Sequence, residues 1–379
     1  MSGPQVNAAM KRASRLSGLG LSPIRAMNVG APAGCVSLGL GEPTWDLPES
    51  GRRALALSAG PCSYGPNAGL PELRRVIASF YGIAEECIMV SSGSQGALFA
   101  LFMAYLGAGD EVLVPDPGFL AYPTLARLAG GEAVPYPLAP DGSLDELAFA
   151  AVLEAHPRAA AAIVNNPSNP TGGCAGETAL SAVAAACEER GILLVSDEVY
   201  RELYLAKKPT SLADVSDYGI VTSSVSKAWG APGLRVGWAL GDPGTLEGAR
   251  LVHNSMVSCV PRPSQEAARA LIEDSGAILP AARAELKMRW EALAGALEAE
   301  LGIVAEKPAG AFYYWLRLPE LSGDDTRFCL RSRDEGKVIL IPGSAFGGRG
   351  RGYARLSYAA SPDDLREGLR RLGRFWRKA

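Results

Sequence analysis

The sequence predicts an α/β fold in which a mostly parallel seven-stranded sheet lies between helices, with a smaller α+β part beside it. Three observations carry this. From about residue 88 to 240, short runs apolar throughout alternate with longer helix-like segments, as in a parallel sheet covered on both faces. Beyond a long Ala- and Glu-rich helical stretch at 262–301, the pattern changes to mixed short strands and helices. The chain has 379 residues, 48% of them apolar, which is enough for a substantial core and two domains.

In order, the strands of the large sheet are expected at Ile88–Ser91, 111–115, 133–136, 160–165, 192–196, 220–223 and 236–240. Helical spacing fills the intervals at 96–105, 120–128, 144–153 and 178–190. The long stretch 262–301 is predicted helical with an interruption near Pro280, because proline removes a helical donor. Strands at 311–318, 338–341 and Tyr353–Ser357, with helices at 326–335 and 362–378, complete the smaller part. The predicted division is a large domain at 46–275 and a small domain from 1–45 and 276–379. No repeat or low-complexity linker interrupts it.

Composition excludes several classes. Net charge is −3 with a pI of about 5.7 and no long basic run, which argues against nucleic acid as a partner. No apolar stretch reaches the roughly 18–20 residues of a membrane span, and residues 1–20 lack a signal-peptide apolar segment. Seven cysteines (35, 62, 87, 174, 187, 259, 329) are dispersed without a CxxC pair, as in a reducing compartment, so the expected location is the cytoplasm. Only His156 and His253 are available, too few for a zinc site or a Ser-His-Asp hydrolase. No metal is expected, and the chemistry falls to a cofactor.

Lys227 is the most informative residue. Lysine is scarce, eight against 29 arginines, and most lie in polar or terminal stretches. Lys227 instead follows an apolar strand, within Ser-Ser-Val-Ser-Lys-Ala-Trp-Gly-Ala-Pro-Gly-Leu-Arg-Val-Gly at 223–237. A buried ammonium loses its proton readily and becomes nucleophilic towards carbonyls. The nearby hydroxyls and Arg235 suit a phosphate. A lysine that attacks an aldehyde beside a phosphate implies pyridoxal phosphate.

Other strand ends add candidates. Asp197 closes Gly-Ile-Leu-Leu-Val-Ser-Asp, and a buried carboxylate there needs a cationic partner; a protonated pyridine nitrogen would serve, as would a helix N-cap role. Tyr200 follows three residues on, as a phenol donor or a packed aromatic. Asn169 lies in Asn-Asn-Pro-Ser-Asn-Pro-Thr-Gly (165–172), which reads as a ligand-facing turn or a plain one. Ser91 to Gln95 joins a strand to a helix, where exposed N–H groups accept phosphate. Phe119, in Asp-Pro-Gly-Phe, suits stacking on an aromatic ring or a place in the core. Tyr64 sits in a turn-rich stretch. Arg355 lies inside an apolar strand, where a substrate carboxylate or an internal salt bridge would answer its charge.

Taken together, these motifs resemble the class I/II aminotransferases, the fold-type I enzymes related to aspartate aminotransferase. The resemblance runs in family order from Gly41-Glu42-Pro43 through Tyr64, Ser94-Gln95, Phe119, 165–172, 197–200 and 224–235 to Gly310-Ala311-Phe312-Tyr313 and Arg355. Ser-x-Ser-Lys followed by Gly-x-Arg-x-Gly is its most specific element. The family implies transfer of an amino group from an L-amino acid to a 2-oxo acid such as 2-oxoglutarate. Lys227 would bind the cofactor aldehyde and carry the proton. Asp197 would pair with the ring nitrogen, while Asn169 and Tyr200 contact the ring hydroxyl. Ser94, Gln95, Ser224, Ser226 and Arg235 would bind phosphate, with Tyr64 reaching it from a neighbouring subunit, which implies a homodimer. Phe119 takes the stacking position, and Arg355, Asn169 and the backbone at Gly41 would clamp the substrate carboxylate. The same residues also serve carbon–sulfur lyases of this fold. No arginine is assignable to a substrate side-chain carboxylate, and the aromatic run 312–315 reads equally as a pocket wall or a core strand.

Overall fold

The computed structural model describes residues 13–58, 60, 63–319 and 324–378. Residues 1–12 of the predicted N-terminal arm, and Cys62, lie outside the described residues. The strands are β1 (Val36–Ser37), β2 (Ile88–Ser91), β3 (Glu111–Asp116), β4 (Glu132–Pro137), β5 (Ala159–Asn165) and β6 (Leu193–Asp197). They continue as β7 (Ile220–Ser224), β8 (Gly237–Leu240), β9 (Tyr313–Arg317), β10 (Val338–Ile339), β11 (Ile341–Pro342) and β12 (Tyr353–Ser357). The large sheet has the order β2-β8-β7-β6-β5-β3-β4, and every pairing is parallel except the two made by β8. The seven predicted strands are all present, displaced by no more than a residue or two at their ends.

Their uniform apolarity has a direct cause. Successive side chains of a strand point to opposite faces, and both faces are covered. Leu113, Ala162, Val164, Leu194 and Val221 enter one core, beneath helices that include Glu146–Ala155 and Glu177–Glu189. Val112, Val114, Ile163, Val195 and Ile220 enter the other, under helices Gly93–Tyr105, Ala121–Leu128 and Pro243–Val257. Each buried Leu, Ile or Val contributes about 1.5–3 kcal/mol. Truncating fully buried Leu194 to alanine would cost about 2–5 kcal/mol.

Two expectations need correction. Pro280 lies inside the helix Ser275–Leu301 without ending it; the interruption falls at Asp274, after Arg262–Glu273. A 27-residue helix packed along its length absorbs the lost hydrogen bond. The run 338–341 is not one strand. Val338 pairs in parallel with Val36, whereas Ile341 pairs antiparallel with Arg355, so the chain changes sheet between them. Periodicity cannot reveal a change of partner when every residue is buried. β11, β12 and β9 form a three-stranded antiparallel sheet, and β1 with β10 a two-stranded one.

One edge of the large sheet sets up the site. The carboxyl ends of β2, β3, β5, β6 and β7 all emerge there. β8 runs the other way and begins there, with Gly237 opposite both Ser91 and Ser224. Ligands bind along such an edge in open α/β sheets.

Candidate active site

A cavity of about 590 Å³ lies along that edge. Every site residue predicted from the sequence lines it except Tyr64, which is 89% exposed on a surface loop. The neighbouring Gly65 N–H donates to Cys259 Sγ at 3.4 Å, tying that loop to the segment before helix Arg262–Glu273.

Lys227 follows β7 and donates from Nζ to the Gly41 carbonyl at 2.6 Å. Burial, and then the charge of Arg355, push its ammonium down to about 8. Its nitrogen stands 5.8 Å from the ring centres of both Tyr200 and Phe312. This is the weakly solvated, easily deprotonated amine that attack on an aldehyde requires.

Asp197 ends β6 with 3% exposure. Tyr122 donates its hydroxyl to Oδ2 at 2.8 Å, and the Val199 amide reaches Oδ1 at 3.4 Å. Burial drives the carboxyl up to about 6 against these donors. Among the described residues no cationic side chain stands within ion-pair distance, so the helix-cap alternative leaves its charge unanswered. Neighbouring Asn165 donates to the Asp197 carbonyl at 2.9 Å and accepts from the Asn169 amide at 2.7 Å, holding the 165–172 turn against the strand end.

Arg355, on β12, is 1% exposed. It donates to Asn169 Oδ1 at 2.8 Å and to the Gly39 carbonyl at 2.7 Å, and among the described residues its Nε has no partner. The rings of Tyr313 and Phe346 lie 4.3 and 4.8 Å from the guanidinium carbon. The predicted internal salt bridge is absent among the described residues; neutral acceptors and aromatic faces hold the cation instead. Tyr200 and Tyr313 share a 2.8 Å hydrogen bond, and burial raises both phenols. A side chain at Gly41 would strike the Tyr313 hydroxyl.

At the opposite end, helix Gly93–Tyr105 begins without a side-chain cap, leaving first-turn N–H groups free near Ser94 and Gln95. Arg235 crosses this start: a Cβ at Gly93 would lie 2.5 Å from its Nη2. Gly93 has φ +72° and Arg235 φ +56°, so both backbones adopt left-handed geometry to allow the approach. Ser224 Oγ accepts from the Ser226 amide at 3.2 Å. Free amides, hydroxyls and a guanidinium form an anion cradle.

Sequence reasoning missed Tyr122 and Gly39 as parts of this site, and it took in Gly93, Asn165 and Tyr313 only as members of longer motifs. Tyr122 reads as a core helix residue, and only its position below Asp197 distinguishes it. The aromatic run divides: Tyr313 lines the cavity, Phe312 is in the core, and Trp315 stacks on Tyr353 at 5.3 Å. It is therefore not a continuous pocket wall. Residues 20–22, Ile24 and Arg25 also reach the cavity, and among the described residues Arg25 has no ion-pair partner.

Comparison with known proteins places this geometry in context. Residues 33–372 match the family model described as aminotransferase class I and II. The chain is 33% identical over 356 residues to an aspartate/prephenate aminotransferase of Thermus thermophilus, covering 91% of each. The solved Thermus thermophilus aspartate aminotransferase with maleate superposes with a TM-score of 0.89 at 31% identity, covering 97% of this chain and 100% of that one. An aromatic aminotransferase from Pyrococcus horikoshii superposes with a TM-score of 0.85 at 30% identity, covering 94% and 99%.

Proposed function

This chain belongs to the class I and II aminotransferases, enzymes of amino-group transfer between amino acids and 2-oxo acids, and from that premise we propose that it works through pyridoxal phosphate bound at Lys227. The observation that carries the reading is the set of unanswered charges at one sheet edge. Among the described residues Asp197 lacks a cation and Arg355 lacks an anion, and Lys227 beside them loses its proton more readily than an ordinary lysine. Pyridoxal phosphate, when bound, supplies an aldehyde for amine capture, a ring that takes up the electron pair left by Cα–H cleavage, and a phosphate anchor.

The chain's own residues then have defined tasks. Asp197 would hold a protonated ring nitrogen, and Tyr122 keeps that carboxylate oriented. Asn169 and Tyr200 would serve the ring hydroxyl, and Phe119 the ring itself. Ser94, Gln95, Ser224, Ser226 and Arg235 would take the phosphate. Arg355 would clamp the substrate α-carboxylate and so orient Cα for proton removal. Lys227 would take the proton from substrate Cα and return it on the cofactor side. The acceptor would be a 2-oxo acid such as 2-oxoglutarate. The names of the relatives favour transfer over carbon–sulfur elimination.

Borohydride reduction of the yellow protein is expected to fix the label on Lys227. Label on another lysine, or no visible absorbance after adding pyridoxal phosphate, would sink this reading. With a panel of amino donors, glutamate accumulation from 2-oxoglutarate is expected; pyruvate and ammonia without an acceptor would indicate elimination.

The same reading includes a homodimer in which Tyr64 would reach the partner's phosphate, supported by the exposure of Tyr64 and its place outside the lining of its own cavity. Lys227→Ala and Tyr64→Ala subunits, co-expressed, should regain activity in the hybrid; no recovery counts against it. We also place the large domain at 46–275 and the small one at 1–45 with 276–379. The seven-stranded sheet falls within the first range, and β1 joins the C-terminal strands. A cytoplasmic location fits the dispersed cysteines, and among the described residues no helix is long and apolar enough to cross a membrane.

A further inference from the structure

His253 has no part in the chemistry above, yet it is 1% exposed in helix Pro243–Val257. Its Nε2 accepts the backbone N–H of Ser92 at 3.1 Å. Ser92 is the N-cap of helix Gly93–Tyr105, and that helix packs along the one carrying His253. Its φ of −71° and ψ of 69° turn the chain from strand β2 into the helix whose first amides face the phosphate. An Nε2 that accepts is unprotonated, so the neutral ring carries its hydrogen on Nδ1. Among the described residues that Nδ1 has no partner. A buried imidazole with one nitrogen unsatisfied is costly, and the hydrogen bond that the ring makes among them is to the turn that opens the anion cradle.

We propose that His253 is a positioning residue for the phosphate: by fixing the Ser92 N–H it sets the turn from which Gly93, Ser94 and Gln95 present their amides. Burial keeps the ring below its ordinary value, so it remains the acceptor the geometry needs. The orientation is consequential because Gly93 sits against Arg235 with no room for a Cβ. A turn that slips would move both the amides and the arginine away from one anion. The inference rests on the reading that this helix start holds the phosphate of pyridoxal phosphate.

The test compares ligands with and without that phosphate. Dissociation constants of the apoenzyme for pyridoxal phosphate and for pyridoxal are measured by fluorescence or absorbance titration. In His253→Leu, binding of pyridoxal phosphate should weaken about tenfold, the worth of one hydrogen bond of about 1.4 kcal/mol, with binding of pyridoxal nearly unchanged. His253→Gln, whose side-chain oxygen can accept the same N–H, should recover most of the loss. Equal weakening of both ligands in His253→Leu, an unchanged affinity for pyridoxal phosphate, or no recovery in His253→Gln would each overturn the proposal. Failure of the wild type to bind pyridoxal phosphate would instead overturn the cofactor reading.

Discussion

Two buried arginines show how differently this chain treats a charge. Arg289, in helix Ser275–Leu301, is 5% exposed and fully answered. Its Nε meets Glu285 at 2.7 Å, and its Nη1 donates to Thr44 Oγ1 and to the carbonyls of Ala359 and Ala360. Arg355 is buried more deeply, yet no carboxylate answers it among the described residues, and one of its nitrogens bonds to nothing. Burying an unpaired guanidinium is expensive. One arginine has a carboxylate beside it and the other only neutral groups, and on the proposed function the second is kept for the substrate carboxylate. Asp197 repeats the contrast against Glu111, a buried carboxylate that Arg158 meets at 2.7 Å and His156 at 3.2 Å.

The sharpest way to break this comparison is Asp197→Asn. Turnover should fall about a thousandfold, as for loss of a fixed electrostatic partner, with the fold retained by circular dichroism. Glu111→Gln should alter the melting temperature and leave turnover alone. If both variants behave alike, the distinction fails.

The arginines come next. Arg355→Leu should lower kcat/KM about a hundredfold through loss of a charge-assisted carboxylate contact, without lowering the melting temperature of the apoprotein. Arg289→Leu should do the reverse, costing about 3 kcal/mol of stability while each folded molecule remains active. Calorimetry and steady-state kinetics on the same preparations check both halves.

A pH profile sharpens the part played by Lys227. Burial lowers its pKa from 10.5 to about 8, and only the neutral amine attacks. Capture of pyridoxal phosphate by the apoprotein should therefore speed up by about tenfold per pH unit below that value and level off above it. A rate still climbing beyond pH 9.5 would show an ordinary, solvated lysine. The smallest effect is expected from Tyr122→Phe. Removing the 2.8 Å donor raises the Asp197 pKa further above its ordinary value, so the acidic limb of the activity profile should move to higher pH. Cofactor affinity should drop by about three- to tenfold.

The fold was legible because β2 to β8 are continuous apolar runs with helices between them, a pattern that follows from covering both faces. The chemistry was legible because Lys227, Asp197, Asn169 and Arg355 are polar residues in or beside strands, where physical cost marks them out. What escaped was whatever looks ordinary in sequence. Tyr122 is an aromatic residue among apolar neighbours, and the Gly39 carbonyl belongs to the backbone. The break at Asp274 and the change of sheet after Ile339 depend on tertiary partners far along the chain. Arg25 was equally unreadable, since a solvated arginine in a short helix and one at a cavity mouth share the same local pattern.

Gly93 has a consequence for how the chain can change. Its missing side chain leaves just the room that Arg235 occupies from 142 positions away. A single methyl group at 93 would therefore act as a lesion at 235, although neither residue borders the other in sequence. Once Arg235 is lost, position 93 is released from the steric conflict, though its positive φ still favours glycine; while Arg235 remains, a side chain at 93 displaces its guanidinium.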